Sequence, residues 1–239
     1  VKVRPTQLGL PFQLKGDAFT SAAETERPVG GEQLMELVVE RDNLLVALKR
    51  VEQNKGAAGV DGMSVVQLRA HLKEHWPSIK RELLFGEYVP QPVRRVEIPK
   101  PGGGKRQLGI PTVLDRFIQQ ALMQVLQAQW DESFSQCSFG FRPGRSAHQA
   151  IKSAQAHIRA GHKWVVDIDL EKFFDRVDHD KLMGKVRARV RDARALRLIR
   201  RYLESGVLID DALHATKIGT PQGGSMTPRT QKATLSLSG

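Results

Sequence analysis

The chain is poor in cysteine, in acidic residues and in long apolar runs, and each shortage excludes a class of protein. A single cysteine, Cys137, rules out an internal disulfide and any cysteine-rich zinc cluster. Set in FSQCSFGF, it reads as a small packed side chain. No apolar run approaches the roughly 18 residues needed to span a bilayer, so no membrane partner is expected. The opening VKVRPTQLGLPFQ lacks the apolar stretch of a secretory signal, and the expected compartment is the cytoplasm. Asp and Glu number 26 against 37 Lys and Arg, a formal net charge of +11. That excess calls for a polyanionic partner, most often nucleic acid.

What acid there is gathers in one place. VVDIDLEKFFDRVDHD, residues 165–180, holds six carboxylates. Alternation along a strand sets Val165, Asp167 and Asp169 on one face and Val166, Ile168 and Leu170 on the other. The second face is apolar and is expected to pack on the core. Two carboxylates facing one way repel unless a cation lies between them. Magnesium prefers carboxylate oxygen and often takes phosphate as a further ligand, which suits phosphoryl transfer. An aspartate capping the next turn, or paired with one of the many arginines, is the plainer alternative.

The rest of the chain punctuates itself. Residues 1–31 carry no periodicity and read as a flexible leader. EQLMELVVERDNLLVALKRVEQ has helical spacing throughout and is expected to form one helix, broken by NKGAAGVDG. Ser64 with Gln67 starts another helix, Pro77 opens a third piece, and Gly86 stops it. VRRVEIPKPGGGKRQLGIP reads as two strands around a glycine-rich turn. Thr112 with Asp115, and Ser146 with Gln149, mark two further helix starts. KWVVDID is expected to be a buried strand, followed by helices over about 178–204 and a hairpin of VLID with LHATKI. Seven arginines between 187 and 201 spread around more than one helical face, either as a solvated surface or as contacts to an RNA backbone. The fold class is α+β.

Five stretches, in order, resemble the reverse transcriptase–maturase family of bacterial group II introns. They are RDNLLVALKRVEQNKGAAGVDG, PVRRVEIPKPGGGKRQLGIPTVLDRFIQQAL, SFGFRPGRSAHQAI, VVDIDLEKFFDRVDHDKL and GTPQGG. The resemblance covers 41–224 and implies the fingers and partial palm of a right-hand polymerase. Residues 32–162 would be the fingers region, 163–224 a partial palm and 225–239 a divergent tail. It implies RNA-directed DNA synthesis with two magnesium ions on a primed RNA template, with dNTPs as substrate and group II intron RNA as partner.

Roles follow for the matching positions. Asp169 resembles the first metal-binding, catalytic aspartate, with the Leu170 carbonyl beside the same ion. Phe174 resembles the aromatic ring that excludes a 2′-hydroxyl. Lys100 and Arg106 match positions that contact the triphosphate, and Gln222 one near the nucleotide and template. Arg94, Arg95, Arg142 and Arg145 are placed to contact RNA. Asp167 is expected to be a structural carboxylate or to support the site from behind, Phe173, Phe139 and Phe141 to pack in the core, and His148 to lie on a helix surface. Asp175, Asp178 and Asp180 would start the next helix, where negative charge is favourable.

The family pattern then departs. After GTPQGG the family carries a Tyr-x-Asp-Asp strand pair that supplies the remaining metal-binding carboxylates. In these 239 residues no Asp or Glu follows Asp211. One aspartate strand cannot position ions on both the attacking and the leaving oxygen. The expectation is therefore a chain inactive alone, its KWVVDID strand left with an open edge and an uncovered face. A non-catalytic module binding intron RNA, or a remnant without function, are the alternatives.

Overall fold

The computed structural model describes residues 33–99, 103–167, 173–209, 212–216 and 218–220. The expected leader and tail lie outside them. Two helices, not one, open the described chain: α1, Leu34–Val38, and α2, Arg41–Asn54. The break is set by distant partners that helical periodicity cannot report. The Asp192 carboxylate accepts from the Met35 N–H at 3.0 Å. The Asn43 amide donates to the carbonyls of Val38 and Ala121, satisfying the last turn of α1. Lys55, in the left-handed region, ends α2.

Ser64 and Gln67 begin a 3₁₀ turn that runs into α3, Leu68–Phe85. The Ser64 N–H donates to Gln67 Oε1 at 2.8 Å, half of the expected capping box. Pro77 does not open a new helix but lies inside α3. A proline there removes one backbone bond and costs about 3 kcal/mol. Burial of Leu68, Leu72, Trp76, Ile79 and Leu83 along one face offsets this, at roughly 1.5–3 kcal/mol for each large side chain. Gly86, at φ 68°, stops the helix as expected.

Strands β1, Val93–Pro99, and β2, Lys105–Ile110, form the expected antiparallel hairpin. Thr112 then caps α4, Val113–Trp130, by accepting from the Asp115 N–H. This helix packs against α1 and α2 and is the centre of the core. Phe117, Ile118, Ala121, Leu122 and Leu126 are all essentially inaccessible. Asp115 is buried among them as a junction. Its carboxylate accepts from the Tyr88 hydroxyl at 2.9 Å, the Thr112 hydroxyl at 2.7 Å, the Gln91 N–H at 3.1 Å and the Tyr202 hydroxyl at 3.3 Å. Burial raises its pKa, and those donors act in the opposite direction.

Ser146 and Gln149 cap α5, Ala147–Arg159, again as expected. The stretch after it does not follow expectation. Residues 162–167 form no strand, and Trp164, Val165 and Val166 are 93%, 86% and 81% exposed. An extended segment is held by a neighbour's backbone groups, and no described strand lies beside this one.

A 3₁₀ turn at Phe173–Arg176 leads to α6, His179–Arg187, and α7, Ala193–Glu204. Asp178 is the α6 cap, accepting from the Lys181 N–H. Strands β3, Val207–Ile209, and β4, Ala212–His214, form the expected second hairpin. One feature is absent from the sequence pattern. Val93 and Arg94 pair in parallel with Val207 and Leu208, joining the hairpins into one sheet of order β2-β1-β3-β4.

Candidate active site

The joined sheet places the ends of several motifs around a cavity of about 540 Å³. Val93 and Arg95 of β1, Gln107, Leu108 and Gly109 of β2, and Val207 and Ile209 of β3 line one side. Asp175 and the segment Ile218–Thr220, the start of GTPQGG, line another. The wall is largely aliphatic, with the Arg95 guanidinium, the Asp175 carboxylate, the His214 imidazole, the Gln107 amide and the Thr216 and Thr220 hydroxyls.

Strand alternation separates the two arginines that the sequence put together. Arg95 shares the face of Val93 and reaches the cavity. Arg94 turns the other way, and its Nε and Nη2 both donate to the Ala58 carbonyl, at 3.1 and 2.8 Å. It therefore holds the NKGAAGVDG loop against the sheet. Gly59 fits only because it lacks a side chain, since a Cβ would sit 2.6 Å from the Thr112 backbone.

The GTPQGG entry is tied to the turn that carries Phe174. The Thr220 N–H donates to the Phe174 carbonyl at 2.7 Å, and the Gly219 N–H to the Val177 carbonyl at 2.8 Å. Buried His179 brings Nε2 to 2.6 Å from the Gly219 carbonyl. A carbonyl only accepts, so Nε2 carries the proton. Thr220 is 8% exposed, and its hydroxyl has no hydrogen-bond partner among the described residues. A buried hydroxyl without a partner, on the wall of a cavity, favours a ligand that brings one.

Asp169, Leu170, Lys100 and Gln222 lie outside the described residues, as does the side chain of Arg106 on β2. Among the described residues no group of three metal-ligating side chains occurs. Asp167 is exposed.

Two of the expected RNA contacts separate just as the β1 arginines do. Arg142 is a correction. Its five N–H groups meet both carboxylate oxygens and the carbonyl of Asp131 and the carbonyls of Ser135 and Ser138, at 2.8–3.2 Å. Only 5% of its side chain is exposed, so it braces the 131–142 loop and has no donor left for RNA. Arg145 lies at the surface over the Phe139 ring, bonded to Gln136. Phe139 is half-buried, and Phe141, expected in the core, is 68% exposed. Cys137, expected to be packed, is exposed too.

The arginines of 187–201 also find work inside the fold. Residues 188–192 interrupt the helix, and the phase resets at the Asp192 cap, so α7 has one clean apolar face of Ala195, Leu198, Ile199, Tyr202 and Leu203. Arg194, Arg197 and Arg201 donate to the carbonyls of Leu84, Gly86 and Tyr88, capping the carboxy-terminal end of α3. Arg194 also pairs with Glu36 and buried Asp192, and Arg200 with Asp180 and Glu204. Neither the Asp115 junction nor these carbonyl partners had a signal in the sequence beyond the residue types themselves.

The described residues contain no helix long and apolar enough to cross a membrane. The reverse transcriptase (RNA-dependent DNA polymerase) family matches residues 98–235. Protein YkfC of Escherichia coli K12 is 36% identical over 212 residues, covering 86% of this chain and 56% of that protein. The group II intron-encoded protein LtrA of Lactococcus lactis is 36% identical over 197 residues, covering 82% of this chain and 33% of that one. The chain thus spans a third to just over half the length of these curated relatives. Among solved structures, a partial Cas6-RT-Cas1–Cas2 complex is similar at a TM-score of 0.57 and 22% identity, over 84% of this chain and 34% of that one, which shows the fold. Members of the matched family act on nucleic acid and generally use divalent metal ions. The chain belongs to the reverse transcriptase (RNA-dependent DNA polymerase) family and, within it, to the group II intron type.

Proposed function

We propose that these residues form the fingers and the first part of the palm of an enzyme that copies RNA into DNA, with dNTPs as substrate and group II intron RNA as its natural partner. The observation that carries this reading is the cavity where β1, β2, Asp175 and the GTPQGG entry meet. Motifs far apart in sequence converge there, beside the backbone of Phe174.

Asp169 and the Leu170 carbonyl offer hard oxygen donors, a donor set that suits magnesium. When bound, the ion would lower the pKa of the attacking hydroxyl and neutralise phosphate charge. Lys100 and Arg106 would hold the triphosphate, Phe174 would exclude a 2′-hydroxyl by its bulk, and Arg95 and Gln222 would line the nucleotide and template side. Arg145, at the surface beside the start of α5, would contact RNA phosphate. The internal duties of Arg94, Arg142, Arg194, Arg197, Arg200 and Arg201 weaken the alternative of a module that grips RNA mainly through its basic helix.

The test joins these residues to the remaining palm and thumb of an intron-encoded relative and follows dNTP incorporation on a primed RNA template. Extension is expected, and Asp169→Ala is expected to abolish it. Phe174→Ala is expected to admit ribonucleotides. The 239 residues alone are expected not to extend. A fusion equally active with Asp169→Ala contradicts the site assignment.

A further inference from the structure

Gly219 is held in a conformation that it does not choose for itself. Its φ is 87°, and a Cβ would lie 3.1 Å from the carbonyl oxygens of both Phe174 and Asp175. Only glycine fits, yet glycine is the residue least able to keep one conformation unaided. Three hydrogen bonds do the keeping. Two are backbone bonds, from Gly219 to Val177 and from Thr220 to Phe174. The third comes from the His179 ring to the Gly219 carbonyl, and it is the only one of the three made by a side chain. Asp178 and Ile218 add an isolated antiparallel bridge beside it.

We propose that His179 is a positioning residue for nucleotide addition. By fixing the Gly219 carbonyl it sets the position of the Gly219–Thr220 peptide on the cavity wall. His179 is buried at the first position of α6, so the loop is referenced to a packed helix and not to the solvent-facing turn that surrounds it. The same contact holds the Thr220 hydroxyl at the cavity wall. Without the ring N–H, the Gly219 carbonyl loses that anchor and the Gly219–Thr220 peptide is held by its backbone bonds to Val177 and Phe174, with no steric help from glycine. The Gly219–Thr220 wall of the cavity then loses its reference to α6. This rests on the polymerase reading only for its consequence in catalysis, not for the contact itself.

The test has two arms. In the 239-residue chain, amide hydrogen exchange is measured for wild type, His179→Leu and His179→Gln, whose side-chain amide nitrogen reaches the place of Nε2. His179→Leu should speed exchange at Gly219 and Thr220 by about tenfold or more, while Leu182 and Met183 of α6 stay protected. His179→Gln should restore protection to within about threefold. Unchanged exchange at Gly219 and Thr220, or equal loss throughout α6, overturns the proposal. In the extension-competent fusion, His179→Leu should raise KM for dNTP about tenfold with kcat within about threefold, and His179→Gln should reverse the change. An unaltered KM in a fusion whose loop amides have lost protection also overturns it. A fusion inactive with His179 intact refutes the polymerase reading instead, and the exchange arm still decides the contact.

Discussion

Helices α4 and α5 are both amphipathic and both capped by a side chain at their first turn, yet they have opposite fates. Ten residues of α4 are buried, and none of α5 is. Helix α4 packs against α1 and α2, its Phe117 meets Trp76 of α3, and even its polar Asp115 is enclosed, bonded to Tyr202 of α7. Helix α5 carries Ala147, Ile151, Ala154 and Ile158 along one face, and Ile151 and Ile158 are more than half exposed. Trp164, Val165 and Val166, which follow α5 in the chain, are exposed as well. A hydrophobic pattern creates a face, but only a partner buries it. The described residues therefore divide into one core shared by α1–α4, α6 and α7 and a stretch, α5 to Asp167, whose apolar side chains have no cover among the described residues.

The largest effect that probes this division is a pair of core truncations. Phe117→Ala should cost about 3–5 kcal/mol in urea unfolding, whereas Ile158→Ala should cost less than about 0.5 kcal/mol. Comparable losses would mean that α5 is buried in solution. Asp115→Ala comes next, at about 3 kcal/mol, because it strands the Tyr88 and Tyr202 hydroxyls and the Gln91 N–H without a partner. Asp115→Asn keeps one carbonyl oxygen and should cost about half as much. A neutral Asp115→Ala would show that the junction contributes nothing to the core.

The acid limb of stability sharpens the contrast further. Hydrogen bonds from Arg194 hold the Glu36 carboxyl below its ordinary range. For Asp192, burial alone would raise the pKa, but donors from Arg194 and the Met35 N–H overcome it and the value is lowered. A carboxylate depressed in the folded state contributes stability that is fully present above its unfolded pKa, near 4, and is lost as pH falls through the lower folded value. Stability of the shared core should thus drop below about pH 4. Arg194→Met should flatten that limb and remove about 2 kcal/mol at neutral pH, since it leaves the buried Asp192 without its cation. An acid limb of unchanged slope in Arg194→Met would remove this node from the account.

Local chemistry was legible in the sequence and tertiary partnership was not. The caps at Thr112, Ser146 and Asp178, the stop at Gly86 and both hairpins depend on residues within a few positions of each other, and all are in the structure. The motifs also carried the family. The break at Val39 depends on Asp192 and Asn43, and the passage of α3 through Pro77 depends on the burial of its neighbours. The opposite fates of Arg94 and Arg95, and of Arg142 and Arg145, depend on which carbonyls and carboxylates the fold brings near. A basic side chain reads the same in sequence whether it meets a phosphate or a peptide oxygen. The exposed Trp164–Val166 run makes the same point at an expected strand, because an apolar pattern does not by itself give burial.

Native-state amide exchange along the 239-residue chain tests the division most directly. The amides of Phe117, Ala121 and Leu122 in α4 should exchange at least a hundredfold more slowly, at roughly that order, than those of Ile151, Ile158 and residues 164–167. In the extension-competent fusion, the slow class should spread to the second group. Equal protection of both groups in the chain alone would contradict the account, because it would mean that α5 and residues 164–167 are already covered.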